Sequence, residues 1–179
     1  VKIQIPDYLT QEKLTVALKQ IIPAEDWIGE ELKVPGTRCR WDMGYIYRGK
    51  TYIVEFDGDQ HYRDSIVIRN DKIKDLTALR CNFKVIRIPY WLQLTPQTLE
   101  LLFNINAEIE QNFSHGFVAS KIFPASYCEY GTYRFEREFN SLPRNIKQEI
   151  TETLRTQILK YDFETVLPTS LLAIMPKLL

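Results

Sequence analysis

Two carboxylates set inside an apolar strand constrain this chain more than any other feature. Residues 51–58 read Thr51-Tyr52-Ile53-Val54-Glu55-Phe56-Asp57-Gly58. The run of β-branched and aromatic residues predicts a strand, and its period of two puts Glu55 and Asp57 on one face at the strand end. Gly58 ends the strand and permits a bend. A charge within such a strand is costly unless it faces solvent or a ligand. Upstream, Arg38 to Tyr47 is aromatic and loosely alternating, and Arg48-Gly49-Lys50 reads as a hairpin turn. That turn brings Asp42 back beside Glu55, 13 residues later in the chain. Gln60 and His61 follow within reach of the same strand end.

Three carboxylates converging on one point repel each other and resist burial. A divalent cation resolves the conflict, and Mg²⁺ or Mn²⁺ prefers such hard oxygen ligands. An ion so held orients water and stabilises the charge that develops on a phosphodiester. Histidine ordinarily changes charge near neutral pH, which makes His61 a candidate proton shuttle or further ligand. The plain alternative is a solvated Asp-Gly turn, but a solvated turn does not explain a carboxylate within Val54-Glu55-Phe56.

Around this block the periodicity predicts an α/β unit. Thr10 to Ile22 has helical spacing with Pro23 as its stop, and an acidic stretch, 24–32, runs up to the turn signal Val34-Pro35-Gly36. Ser65 to Cys81 reads as a helix with Ile66, Ile73, Leu76 and Leu79 on its apolar side and Arg69, Lys72, Lys74 and Arg80 on its polar side. Phe83 to Ile88 is a strand closed by Pro89. The order helix, strand, strand, helix, strand suits a mixed sheet flanked by helices. Beyond Trp91 the texture changes: a helix from Thr95-Pro96 through Ile109, an irregular aromatic stretch over 113–133, and a helix over 143–163. The expected organisation is a core over residues 1–95 and a mostly helical accessory region over 96–179, packed on the core or extending it.

Net charge bounds the partners. Lys plus Arg and Asp plus Glu each total 23, which excludes a uniformly cationic nucleic-acid coat. The sum hides segregation: residues 30–91 hold 12 basic against 9 acidic residues, residues 1–29 hold 3 against 4, and residues 92–179 hold 8 against 10. Arg63, Arg69, Lys72, Lys74 and Arg80 are candidate phosphate contacts, with an ordinary solvated helix face as the alternative. Arg87 is expected to pair with a carboxylate, and Tyr45 and Tyr47 to pack. Cys39, Cys81 and Cys128 are scattered and odd in number, which predicts reduced thiols. His115 has no partner at motif spacing and reads as a loop or cap residue. The N-terminal residues lack a signal-peptide core and no run is long enough to span a bilayer, so a soluble intracellular protein is expected.

Asp42, the string Tyr52-Ile53-Val54-Glu55-Phe56-Asp57-Gly58-x-x-His61, Arg69 and the strand Phe83 to Pro89 together resemble the PD-(D/E)xK nuclease superfamily. Within it the likeness is to the very-short-patch-repair-like branch, and it covers residues 10–92. The resemblance implies a restriction-endonuclease-like sheet flanked by helices and metal-dependent endonuclease activity, most simply on DNA, by a chain acting alone, as a homodimer or within a larger nuclease complex. It gives Asp42 the place of the motif aspartate and Glu55 that of the (D/E). Glu30, with Glu31 as its rival, is the candidate for the acidic residue of the family's first helix, and Asp57 is a further metal ligand or water-orienting base. The motif lysine is absent, because Asp57 stands in its position. His61, Lys72 or Lys74 is then left to supply the cationic or proton-transfer role, with Gln60 helping to orient water or phosphate. The rival expectation is a nuclease-fold module that binds nucleic acid, RNA or DNA, without cutting it.

Overall fold

The computed structural model describes residues 2–6, 8–111, 117 and 126–175. A short strand, β1 (Ile3–Ile5), leads into α1 (Gln11–Ile21). The Thr10 hydroxyl caps that helix by accepting from the Lys13 N–H at 3.2 Å, and Leu14, Ala17 and Leu18 face inward. The acidic stretch after Pro23 forms a single 3-10 turn and then a strand, β2 (Trp27–Lys33). Glu30 and Glu31 therefore lie on a strand and not on the family-type helix expected for them. Edge pairing with the next strand recruits this segment, against its weak local preference.

The hairpin forms as its spacing predicts. Strands β3 (Arg40–Tyr47) and β4 (Lys50–Asp57) are antiparallel, with Tyr47 opposite Lys50. The two-residue turn needs positive φ at both positions, found at Arg48 (+50°) and Gly49 (+71°). A crossover through α2 (Gln60–Arg63) and α3 (Ser65–Arg80) leads to β5 (Lys84–Pro89), parallel to β4 with Glu55 opposite Arg87. The main sheet is thus mixed and four-stranded, in the order β2-β3-β4-β5.

The chain continues through α4 (Pro96–Phe103), β6 (Ile109–Gln111), α5 (Glu129–Ser141), α6 (Arg144–Tyr161) and α7 (Phe163–Val166). Strand β6 pairs in parallel with β1, joining residues 3–5 to 109–111. One hydrophobic core, with Met43, Tyr45, Val54, Ile86 and Ile88 from the sheet, packs against Leu14 and Leu18 of α1 and Leu99 and Phe103 of α4. A second core is aromatic: Tyr62, Tyr90 and Trp91 pack with Tyr127, Phe135 and Phe139 and with the apolar side of α6. Both cores draw residues from each side of position 95. Tyr45 stacks on Tyr52 at 5.0 Å, and Cys39, Cys81 and Cys128 are free thiols. His115 lies outside the described residues. Among the described residues no helix is long and apolar enough to cross a membrane.

Helix α3 differs from its sequence reading in one respect. Ile66, Ile73, Leu76 and Leu79 are between 49% and 71% exposed, and the inward side carries Ile68, Asp71 and Ala78, with Lys74 and Asp75 half-buried. The helix turns charged residues toward the sheet because the sheet presents buried charges there. Leaving those unpaired would cost more than exposing four aliphatic side chains.

Candidate functional site

The site grows from the point where the β3/β4 ladder ends, at the pair Met43 and Val54. At the next position side chains replace the ladder. The Asp42 N–H donates to Glu55 Oε1 at 3.0 Å, and the Phe56 N–H donates to Asp42 Oδ2 at 2.8 Å. The two carboxylates that the hairpin was expected to bring together are therefore neighbours, each satisfying a backbone N–H released by the diverging strands.

The other oxygen of Glu55, Oε2, accepts from Lys74 Nζ, delivered by the inward side of α3. Arg87 Nη1, from the adjacent strand, lies 4.0 Å from the same oxygen. Glu55 is 2% exposed, and its pKa is raised to about 6. Burial is the main cause and the nearby Asp42 charge adds to it, while Lys74 and Arg87 pull the other way. Asp42 has backbone contacts but no cationic partner among the described residues.

Asp57 belongs to a different group. Its side chain is fully buried and lies between two guanidinium groups: Arg87 Nη1 bonds Oδ1 at 2.7 Å, and Arg134 Nη2 of α5 bonds Oδ2. Arg134 also bonds Asp71 Oδ2 at 2.6 Å, Glu138 Oε1 at 2.7 Å and the His61 carbonyl oxygen at 3.1 Å. His61 Nδ1 lies 2.7 Å from Asp71 Oδ2 and 3.3 Å from Asp57 Oδ1. Arg87 is anchored a second time by Asp75 at 2.8 Å. Burial pushes the Asp57 carboxyl up, against the pull of Arg87 and Arg134. Burial also acts upward on Asp71, but the His61 hydrogen bond and the charge of Arg87 outweigh it and hold that carboxyl below its ordinary value.

Asp57, His61 and Asp71 place one ligand atom each within 4.8 Å of one another, the spacing of a metal-ligand trio. The surrounding charge argues against an ion there. Asp57 and Asp71 already face the permanent charges of Arg87 and Arg134, and a dication would have to displace them in a buried space. This network is an ionic cross-link between α5 and the sheet. Asp42 and Glu55 suit a divalent cation better. The two carboxylates are adjacent, and among the described residues Asp42 has no counter-cation that an ion would have to displace.

The remaining candidates are dispersed. Glu30 is half-exposed and ion-paired with Lys19 of α1. Glu31, at a φ of +48°, pairs with Arg40 at 3.3 Å. Gln60 is exposed at the start of α2, Arg63 lies 3.6 Å from Asp59, and Arg69 points outward from α3. Lys72 lines a cleft between α3 and α5. Sequence reasoning did not single out Asp71, Asp75, Arg134 or Glu138. One signal was present: Gly131, Arg134, Phe135, Glu138 and Phe139 share a face of α5, so an arginine and a glutamate interrupt an otherwise aromatic stripe.

No family model matches the chain, and neither a curated protein nor a solved structure matches it.

The raised Glu55 pKa has a direct consequence. A carboxyl whose folded pKa lies above its unfolded value contributes most below about pH 4.5, and that contribution is lost as pH rises through about 6. Glu55→Gln is therefore expected to stabilise the metal-free protein at pH 7 by about 2 kcal/mol and to change little at pH 4. Urea titrations in EDTA at the two pH values test this. An equal effect at both would refute the assignment.

Proposed function

We propose that the chain is a divalent-metal-dependent endonuclease of restriction-endonuclease-like fold that hydrolyses phosphodiester bonds of DNA. One observation carries the reading. Asp42, Glu55 and Lys74 meet at the end of the β3/β4 hairpin, and the lysine from α3 brings a cation beside Glu55 that Asp57, which stands in the motif-lysine position, does not. Asp42 and Glu55 would hold Mg²⁺ or Mn²⁺, which when bound supplies electrostatic stabilisation of the charge growing on the scissile phosphate. Lys74 holds a fixed positive charge beside Glu55 Oε2, where it orients the attacking water or a phosphate oxygen. Glu55 must be ionised to serve, so ion affinity rises with pH through about 6. His61 is tied through Nδ1 to Asp71 and belongs to the supporting network.

Cleavage of plasmid, single-stranded DNA and RNA should be assayed with Mg²⁺, Mn²⁺ and EDTA. Asp42→Asn and Lys74→Met are each expected to lower the rate by at least about 100-fold, the scale of losing a group that stabilises transition-state charge. Undiminished cleavage by either variant would overturn its assigned role. Nucleic-acid binding by the parent with no cleavage in either metal would favour the binding-module alternative.

A further inference from the structure

Helices α3 and α5 enclose a cleft of about 250 Å³ beside the site. Its floor carries Arg87 and Arg134, whose charges are consumed by Asp57, Asp71, Asp75 and Glu138. Its rims differ: among the described residues, neither Lys72 of α3 nor Arg137 of α5 forms an ion pair, and both side chains are exposed. The α5 wall also carries Tyr130 and Tyr133, three residues apart on one face of the helix and 62% and 60% exposed.

We propose that this cleft binds a single strand of nucleic acid, with Tyr130 and Tyr133 stacking on unpaired bases and Lys72 and Arg137 contacting phosphates. A duplex buries its base faces against each other, so exposed aromatic rings gain little from it. A single strand offers those faces, and free cations on both rims complement its backbone. Arg87 links the cleft to the candidate active site, because its guanidinium lines the one and lies 4.0 Å from Glu55 in the other. The inference extends the nuclease reading by naming the form of its substrate, and it rests on that reading only for the cutting step.

The test is fluorescence anisotropy in EDTA with the full chain carrying Asp42→Asn, using labelled (dT)20, (U)20 and a 20-base-pair duplex. At least one single strand is expected to bind about tenfold or more tightly than the duplex, and comparing (dT)20 with (U)20 identifies the preferred sugar. Tyr130→Ala with Tyr133→Ala should weaken single-strand binding about tenfold or more, and the paired Phe variants should restore it. Lys72→Glu should weaken it further and reduce its salt dependence. Both tyrosines are exposed, so an unchanged melting curve would show that the Ala variant is folded. Duplex binding equal to single-strand binding, or a folded Ala variant that binds as the parent does, would overturn the proposal. Because no cleavage is measured, those outcomes leave the nuclease reading standing, and failure of the parent to cut would leave this one standing.

Discussion

Replacing Arg134 by leucine is expected to destabilise the protein by about 3–5 kcal/mol at pH 7, the cost of removing one side of a buried ionic network. The arginine is 94% buried by residue surface, given its 6% exposure, and it serves Asp57, Asp71, Glu138 and the His61 carbonyl together. Its loss leaves Asp57 fully buried with Arg87 as its remaining guanidinium partner and the His61 ring 3.3 Å away. The deficit should shrink toward pH 4, because a buried carboxyl already pushed upward takes up a proton more readily than in the unfolded chain. Urea titrations at pH 7 and pH 4 measure both effects. Asp57→Asn in the same background should recover part of the loss, and strict additivity of the two changes would show that they do not act on each other. A loss of under 1 kcal/mol for Arg134→Leu would show that the network contributes little.

Gly131→Ala is expected to be comparably disruptive for a steric reason. A Cβ at position 131 would lie 1.7 Å from the Tyr62 carbonyl oxygen and 2.5 Å from its carbon. Both are backbone atoms, so no side chain can rotate aside and α5 must move off α2. That shift would break the bond from the Cys128 N–H to the Tyr62 carbonyl, 3.1 Å long, and withdraw Arg134 from its carboxylates. The expected loss is about 3 kcal/mol or more, at the upper end of overpacking changes. Since Gly131→Ala and Arg134→Leu undo the same docking, the double variant should lose much less than the sum of the singles. Full additivity in chemical denaturation would refute the common cause.

The parts of the site that were legible in the sequence are those fixed by local geometry. A two-residue turn at Arg48-Gly49 sets the hairpin register, and the register alone brings Asp42 to Glu55. The strand over 83–88 and the helix over 65–81 follow from periodicity in the same way. The acidic stretch over 24–32 was harder to read, because its residues become a strand by pairing with β3, a partner that local preference does not contain.

The orientation of α3 was not legible. Its apolar residues suggested which side would be inward, yet the carboxylates of the sheet require Lys74, and the arginines anchored among them require Asp71 and Asp75. Asp57 shows the same limit. Its place on the face of Glu55 was readable, but its partner, Arg134, lies 77 residues away. A carboxylate two residues from another looks like a shared ligand until the cation that claims it is known.

By itself the sequence determined a hairpin that sets two carboxylates side by side at a strand end, and a basic segment around them within a neutral chain. The tertiary structure decided which cation each carboxylate meets. Glu55 meets Lys74 beside an Asp42 that has no counter-cation among the described residues, whereas Asp57 is held by Arg87 and Arg134 in a cross-link to α5. The division has one physical cause: backbone register is settled within a few residues, but buried charge is settled only when distant helices supply its partners.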